Sequence, residues 1–260
     1  MKERLWGEGR RLWAAWRALD QQTIWVLIIA TALVIIHDAI GGRRFFQETI
    51  ADWFHPDQQG LMRWAWRFGT QGILGFLVPI VVLRYAFKQR WHEMGLGLGD
   101  WKLASTLALL YIPLVIVGTW VLSDSAAFQT KYPHFAPATS SWRLFFIYEG
   151  LFLFYWIGWE YLWRGFVLFG TARTFGHYAI FIQMVPFAVL HISKPLPEAM
   201  LSILGGVALG ALVWRCRSFW IAVPIHAAQM MILDFWCTMR VRTEVEGIGL
   251  GALWQIFSGG

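Results

Sequence analysis

Charged residues are scarce in this sequence: Asp, Glu, Lys and Arg make up only 15% of its 260 residues. Soluble domains carry about 25% charged and about 45–50% apolar residues, whereas 57% of this chain is hydrophobic. A soluble core cannot bury that apolar excess, so the composition excludes a soluble globular enzyme. At roughly 20 apolar residues per crossing, the chain has the length for about six to eight crossings of a bilayer.

Cysteine is also scarce, with two residues in the whole chain. Cys216 and Cys237 flank one apolar run, and in a helix they would lie about 30 Å apart at 1.5 Å per residue. That distance is too long for a disulfide bond. A disulfide-stabilised fold is therefore excluded.

Acidic residues are outnumbered, with 16 Asp and Glu against 22 Lys and Arg and a formal net charge of +6. We expect the basic groups to contact anionic headgroups of the lipid bilayer, and we expect no nucleic-acid partner. The 18 Trp residues fit this interpretation, because their rings favour the membrane–water interface.

Apolar runs long enough for helices recur along the chain and are separated by short polar connections. They cover 23–40, 69–87, 103–122, 144–170, 178–192, 199–214 and 218–236, with a weaker eighth run at 247–257. The pattern predicts an all-α fold, a polytopic transmembrane helical bundle of about seven to eight spans. Lys and Arg are slightly more frequent on the side of the N-terminus, which predicts that the N-terminus is cytoplasmic.

Ionisable residues occur inside these runs, where each costs about 2.5–3.5 kcal/mol near the middle of a bilayer. They are Glu149, Glu160, Arg164, His191 and His226. Glu160 and Arg164, four residues apart, share one helix face. This spacing predicts either a structural ion pair or a carboxylate that the arginine orients toward a water. By themselves, His191 is typical of a helix-end residue and His226 of a core histidine bonded to a neighbouring helix.

Taken together, Glu160, His191 and His226 lie on three different runs at membrane depth. A glutamate base and imidazoles around a buried water can hydrolyse an amide bond, and that chemistry requires no cofactor. The same three side chains could instead bind a divalent metal such as zinc and leave a fourth position for water. No HExxH motif supports the metal alternative, and both alternatives stay open. Gly206 and Gly210 have the GxxxG spacing of closely packed membrane helices.

At these residues the sequence resembles the CPBP family of intramembrane endopeptidases, the CAAX-protease and bacteriocin-processing group also called Abi. The family carries EExxxR, FxxxH and HxxxN (or HxxxD) motifs on successive helices. WEYLWRG matches the first motif with Glu160 and Arg164, Phe187 and His191 match the second, and His226 matches the third. The resemblance covers roughly residues 90–236.

Two positions depart from the family pattern. Trp159 stands in place of the first glutamate, and Met230 stands in place of the asparagine. Gln229 and Asp234 lie nearby but not at the family spacing. The departures resemble the divergent WE-type branch, which includes sorting-signal proteases of some bacteria, and they also fit an inactive member. The segment after His191 adds Lys194 and Glu198, a charge pair expected to rim the site.

The resemblance implies a mechanism and a substrate class. Glu160 and His191 would hold a water and take its proton, His226 would stabilise the oxyanion, and Arg164 would fix the glutamate. The implied enzyme is an intramembrane endopeptidase of a bacterial inner or plasma membrane, acting near the end of a membrane-anchored or lipidated protein or peptide. The alternative is a catalytically inactive membrane scaffold or partner-regulator. A transporter ranks last, because the sequence shows no paired halves.

The apolar runs, together with the resemblance, predict how the chain is organised. Residues 1–22 are expected to form a cytoplasmic amphipathic lead-in, and 23–90 the N-terminal transmembrane helices. Residues 91–240 are expected to form the CPBP-like protease core. Residues 241–260 are expected to end the chain with a short membrane-associated helix.

Overall fold

The computed structural model describes residues 1–258, which form helices and connecting turns without a strand. The all-α prediction is therefore confirmed. The main helices are α1 Lys2–Ala18, α2 Gln21–Ile40, α3 Pro56–Ala86, α4 Trp101–Ser123, α5 Trp142–Glu160, α6 Leu168–Phe175, α7 Ala179–Val189, α8 Leu196–Cys216, α9 Ala222–Thr243 and α10 Leu250–Ser258. Shorter helical pieces are Arg43–Phe45, Phe46–Ile50, Ala51–Trp53, Ala126–Lys131, Pro137–Ser140, Tyr161–Val167, Gly176–Tyr178 and Phe219–Ile221.

Within residues 1–258, five helices are long and apolar enough to cross a membrane: α2, α3, α4, α8, and α9 extended to Phe219–Thr243. Their outer faces expose large apolar side chains, and on α4 Leu109, Leu110 and Leu114 are each about two-thirds exposed. Such faces are suited to contact with lipid rather than water. The chain is an integral membrane protein. The total of seven to eight spans stays a prediction, since α7 has only 11 residues.

Helix α3 differs from the sequence interpretation, in which an apolar run begins only at residue 69 and the residues before it belong to the polar connection that follows 23–40. The helix already begins at Pro56, where proline fits the first helical position. Leu61, Trp64 and Phe68 follow at helical spacing and pack into the core, and Phe68 stacks on Phe152 of α5 with ring centroids 4.4 Å apart. This apolar stripe extends the helix, although its other residues are polar.

Glycines bring α3 and α5 into close contact. A Cβ at Gly158 would lie 2.1 Å from the backbone oxygen of Gln71, and one at Gly75 would lie 2.3 Å from the oxygen of Gly158. Only glycine permits this approach of two backbones. The crossing lies one half-turn before Glu160 and fixes the position of that residue against α3.

The predicted close packing at Gly206 and Gly210 is confirmed. A Cβ at Gly206 would lie 2.9 Å from Met184 Cγ, and one at Gly210 would lie 2.5 Å from Gln183 Nε2. Gln183 Nε2 donates a hydrogen bond to the backbone oxygen of Gly206 at 2.8 Å. These contacts hold α7, and with it the segment that leads to His191, against α8.

The ends of the chain differ in how they pack. On α1, Trp6, Leu12 and Trp13 remain largely exposed, as expected of an interfacial amphipathic helix. At the other end, α10 packs on α9, where Phe257 lies with its ring centroid 6.0 Å from that of Trp236. A helix thus forms in the predicted C-terminal segment, whose last two residues, 259–260, lie outside the described part. Cys216 and Cys237 are buried free thiols.

Candidate functional site

Glu160 ends α5, and the π-helical piece Tyr161–Val167 follows it directly. Single π-helical turns are frequent at functional sites. Arg164 lies in this piece and donates from Nη1 to Glu160 Oε1 at 3.2 Å, and neither side chain has any exposure. The two residues therefore form the ion pair that their spacing predicts. Each charge compensates the other in a place where an unpaired charge would be strongly destabilising.

His226 of α9 completes the surroundings of this carboxylate. Its Nδ1 lies 2.6 Å from Glu160 Oε1, and because a carboxylate only accepts, Nδ1 carries the hydrogen. The ring packs against Trp156 with centroids 4.2 Å apart, and the residue is 8% exposed. His226 is thus a core histidine bonded across helices. Glu160 Oε2 has no hydrogen-bond partner among the described residues.

His191 approaches the same region from the end of α7. Its Nδ1 lies 2.7 Å from the backbone oxygen of Phe187, so Nδ1–H donates and the neutral ring keeps a free lone pair at Nε2. Phe187 links the elements, since its ring lies 4.6 Å from that of His191 and 4.0 Å from the guanidinium carbon of Arg164. The FxxxH pattern therefore places a backbone acceptor and an aromatic ring beside the histidine.

Two cavities meet at His191 and His226. The first, which we call the vestibule, has a volume of about 420 Å³ and lies among α3, α5, the 124–141 connection and the turn between α7 and α8. The second, which we call the groove, has about 470 Å³ and lies among α4, α8 and α9, with largely apolar walls. Met230 lines both cavities, while Arg164 lines the groove. Glu160 lies directly behind His226.

The positions that depart from the family pattern lie close to this junction. Trp159 lines the vestibule and stacks on Tyr155, with centroids 5.6 Å apart. Gln229 lines the groove, and its Oε1 accepts a hydrogen bond from Tyr111 at 3.0 Å. Asp234 is fully buried beside Glu149, and neither carboxylate lines the two cavities.

The same geometry shows which side chains could serve as ligands for a metal. Within residues 1–258 no group of three or more His, Cys, Asp or Glu side chains is arranged to hold a metal ion. Glu160 Oε1 already accepts from Arg164 and His226, and these contacts account for that oxygen without a metal. The choice between a glutamic and a metal-dependent reaction stays a prediction.

The predicted charge pair does lie at the rim of the vestibule. Lys194 Nζ lies 3.7 Å from Glu198 Oε1, 2.6 Å from Tyr132 Oη and 3.2 Å from His134 Nε2. Burial lowers the pKa of Lys194, and the carboxylate of Glu198 opposes that shift. Burial, followed by the positive charge of Lys194, lowers the pKa of His134 to about 3. His134 is therefore neutral and accepts from the lysine.

Sequence reasoning missed most of the basic residues that line the vestibule. They are Arg43, Arg63, Arg67 and Lys131, in addition to Lys194. The usable signal was the pair Arg63 and Arg67, which share a helix face at the (i, i+4) spacing without an acidic residue between them. It was not recognised because this stretch was interpreted as a polar connection rather than as part of α3.

One comparison with known proteins identifies this part of the chain. Residues 140–232 match the family model of the Rce1-like type II CAAX prenyl endopeptidases. The segment contains Glu160, Arg164, His191 and His226, and the match is consistent with the CPBP resemblance and supports a membrane endopeptidase. No curated protein and no solved structure matches the chain.

Proposed function

We propose that this chain, with its Rce1-like segment, is an intramembrane endopeptidase that cleaves a membrane-anchored or lipidated protein near its end. The observation that carries the proposal is the position of Glu160. Its carboxylate is held by Arg164 and His226 and keeps a free Oε2, directly behind the junction of a polar cavity and an apolar cavity.

Glu160 and His191 are proposed to activate the water. Because Arg164 and His226 both occupy Oε1, Oε2 is the oxygen left to accept a proton. Oε2 is buried, so the proposed water has to enter past His191 and His226 to reach it. His191 accepts a hydrogen bond from the same water at Nε2, since its Nδ1–H is engaged with Phe187. The resulting hydroxide attacks the peptide carbonyl carbon, and Glu160 later returns the proton to the leaving amine.

His226 is proposed to stabilise the oxyanion. With Nδ1–H held by Glu160, the ring can donate to the oxyanion from Nε2 when both of its nitrogens carry hydrogen. Met230 cannot donate, so the family's amide donor is absent. Arg164 lies beside the groove, and its Nε and Nη2 are buried without an acceptor in the described chain. Arg164 is therefore the proposed second donor.

The two cavities suit the two ends of such a substrate. The groove opens between α4, α8 and α9 and carries leucine side chains such as Leu107, Leu122 and Leu204, so it can accept an apolar anchor from the bilayer. The vestibule is polar and can accept the water-soluble end. A peptide bond at the junction would then lie beside His191 and His226.

The second candidate is an inactive scaffold or partner-regulator, which Trp159 favours. Its indole lines the vestibule at the position of the family's first glutamate, with ring centroids 6.2 Å from His191. A scaffold does not need a free oxygen on the Glu160 carboxylate. The scaffold hypothesis therefore predicts that loss of Glu160 leaves the processing of membrane proteins unchanged.

The test compares the N- and C-terminal peptides of all membrane proteins in cells producing either the wild-type chain or Glu160→Gln at equal levels. Removing a general base slows a reaction by about 10²–10⁴-fold, so termini that the enzyme generates should disappear. Glu48→Gln is the matched control, because Glu48 is exposed and pairs only with Arg44.

A second variant separates loss of chemistry from loss of fold. Glu160→Gln leaves the buried charge of Arg164 without its partner, whereas His191→Gln removes a base and no charge partner. We expect both variants to lose the same termini. Identical termini in wild type and both variants, with equal amounts of folded protein, would refute the protease and favour the scaffold.

A further inference from the structure

The vestibule is markedly cationic. Five basic residues line it, namely Arg43, Arg63, Arg67, Lys131 and Lys194, against a single acidic residue, Glu198. Glu198 is already engaged, since it lies 3.7 Å from Lys194 and both of its oxygens accept from Tyr132 Oη at 2.6 Å. The acid therefore compensates one lysine and leaves the other four cations.

Those four cations form no salt bridge among the side chains that the structure describes. Arg67 Nη1 reaches the backbone oxygen of Gly41 at 3.4 Å, and Lys131 Nζ donates to that of Ser193 at 3.2 Å. The Arg63 guanidinium lies 4.9 Å from the ring centroid of Trp64. Arg43 is exposed at the mouth. These side chains retain free donors toward the cavity.

The sequence places these charges where they repel each other. Arg63 and Arg67 follow one another by one turn on the same face of α3, and like charges at that spacing destabilise a helix. A concave wall concentrates their field and attracts an anion. A guanidinium pair is also the arrangement best suited to hold a carboxylate or phosphate by parallel hydrogen bonds.

The cationic wall and the candidate catalytic residues belong to the same cavity. His191 and His226 line the vestibule together with Arg63 and Arg67, and its volume of about 420 Å³ is within the range of small-ligand pockets, roughly 300–1,000 Å³. A short peptide end that reached from the junction to the mouth would bring its terminus to the arginines.

We propose that the vestibule binds the carboxylate at the free end of the peptide substrate and so selects substrates whose cleaved segment ends in an anion. This inference rests on the proposed endopeptidase and names the substrate class of the same site. The arginines hold the carboxylate, and the peptide bond a short distance upstream lies beside His191 and His226.

The binding test uses the purified full chain carrying Glu160→Gln in a neutral detergent, so that a bound peptide is not cleaved. The probe is a pool of short N-acetylated random peptides in two isotopically distinguished forms, one with a free carboxylate and one with a carboxamide. Mass spectrometry measures the ratio retained. Because hydrogen bonds to a charged carboxylate are stronger than those to a neutral carboxamide, we expect the carboxylate form to be enriched about tenfold or more.

Substitutions of the basic residues that line the vestibule show which of them cause the preference for the carboxylate peptide. Arg63→Gln with Arg67→Gln, or Lys131→Gln alone, should reduce the ratio toward one, and the paired Arg→Lys variants should retain part of it. Arg44→Gln is the matched control, because Arg44 neighbours Arg43 but pairs with Glu48 on the exposed surface. A folded wall variant with an unchanged ratio would overturn the assignment of these arginines.

Further outcomes separate this proposal from its alternatives. Equal retention of the two peptide forms overturns the carboxylate site. If glycerol 3-phosphate binds and neither peptide form is preferred, the basic residues of the vestibule bind a lipid headgroup, and the proposed carboxylate site is likewise overturned. A clear carboxylate preference in a chain that processes no protein would support the binding site and refute the endopeptidase. Processing without the carboxylate preference would refute the binding site alone.

Discussion

Glu160 receives hydrogen bonds from two different directions, from Arg164 one turn along its own helix and from His226 on α9. Both partners meet at Oε1, and all three side chains are buried. At this depth the network is stabilising only as a whole, since a single remaining charge would have neither water nor a counterion.

The Glu160–Arg164 pair should show strong energetic coupling. Arg164→Met alone should lower the free energy of unfolding by about 3–5 kcal/mol, because it leaves a buried carboxylate. The double variant Glu160→Gln with Arg164→Met should regain part of that loss. Thermal unfolding of the two single variants and the double variant in detergent gives the coupling. Strict additivity would contradict the proposed pairing.

His134 should make the fold sensitive to acid. Its folded pKa of about 3 lies below the ordinary value of 6.5, so between these values the unfolded chain binds more protons. The stabilisation is complete above pH 6.5 and is lost as pH falls toward 3. Melting temperatures measured from pH 7 to pH 4 should therefore fall less steeply for His134→Asn. His92→Asn, at an exposed histidine, should follow the wild type, and parallel curves for all three chains would refute the assignment.

Much of this site could be predicted from sequence, because helix periodicity fixes which neighbours share a face. The Glu160–Arg164 pair is such a case. The Glu160–His226 hydrogen bond joins residues 66 positions apart, so it depends on how α5 and α9 pack. The motif order indicated a shared site but could not specify which carboxylate oxygen the imidazole contacts.

At the scale of elements, the crossing of α3 and α5 positions Glu160. Gly158→Ala would force a methyl group against the backbone of Gln71 and Gly72, and overpacking of this kind costs about 1–3 kcal/mol. Shifting Glu160 should also reduce cleavage about 10²-fold, because a displacement of about 1 Å can have that effect. Melting temperature and terminal-peptide analysis measure the two effects.

Gly150→Ala is the control for this prediction on the same helix. A Cβ there meets nothing within 4 Å, and replacing a mid-helix glycine by alanine adds about 0.5–1 kcal/mol of stability. We expect an unchanged or slightly higher melting temperature and unchanged processing. If both glycine variants behaved alike, the crossing would not position the site.

At the scale of the whole molecule, the number of crossings can be determined by labelling. His92, Ser125, His177 and Ser193 are exposed and lie in successive connections. If α5 with α6 and then α7 each cross the bilayer, single cysteines at Ser125 and Ser193 should react with an impermeant maleimide from one side. Cysteines at His92 and His177 should react from the other. Same-side labelling of Ser125 and His177 would remove the predicted span at 144–170, and same-side labelling of His177 and Ser193 would remove the span at 178–192.

The fold was predictable where apolar runs are continuous, as in α2, α4 and α8. It was less so in α3, whose first half combines a core stripe of Leu61, Trp64 and Phe68 with polar and basic residues. The mean hydropathy of such a stretch is close to neutral, so only the helical spacing of its apolar side chains indicates that it is a buried helix.

The junction of vestibule and groove also bears on what becomes of two products. If the chain cleaves an anchored peptide beside His191 and His226, as proposed, the free end would be released to water and the anchored end would return to the lipid. Each fragment is then diluted in a medium that the other does not enter, so the two ends no longer meet. The arrangement of the two cavities would thereby make the proposed cleavage effectively irreversible, without any further chemical step.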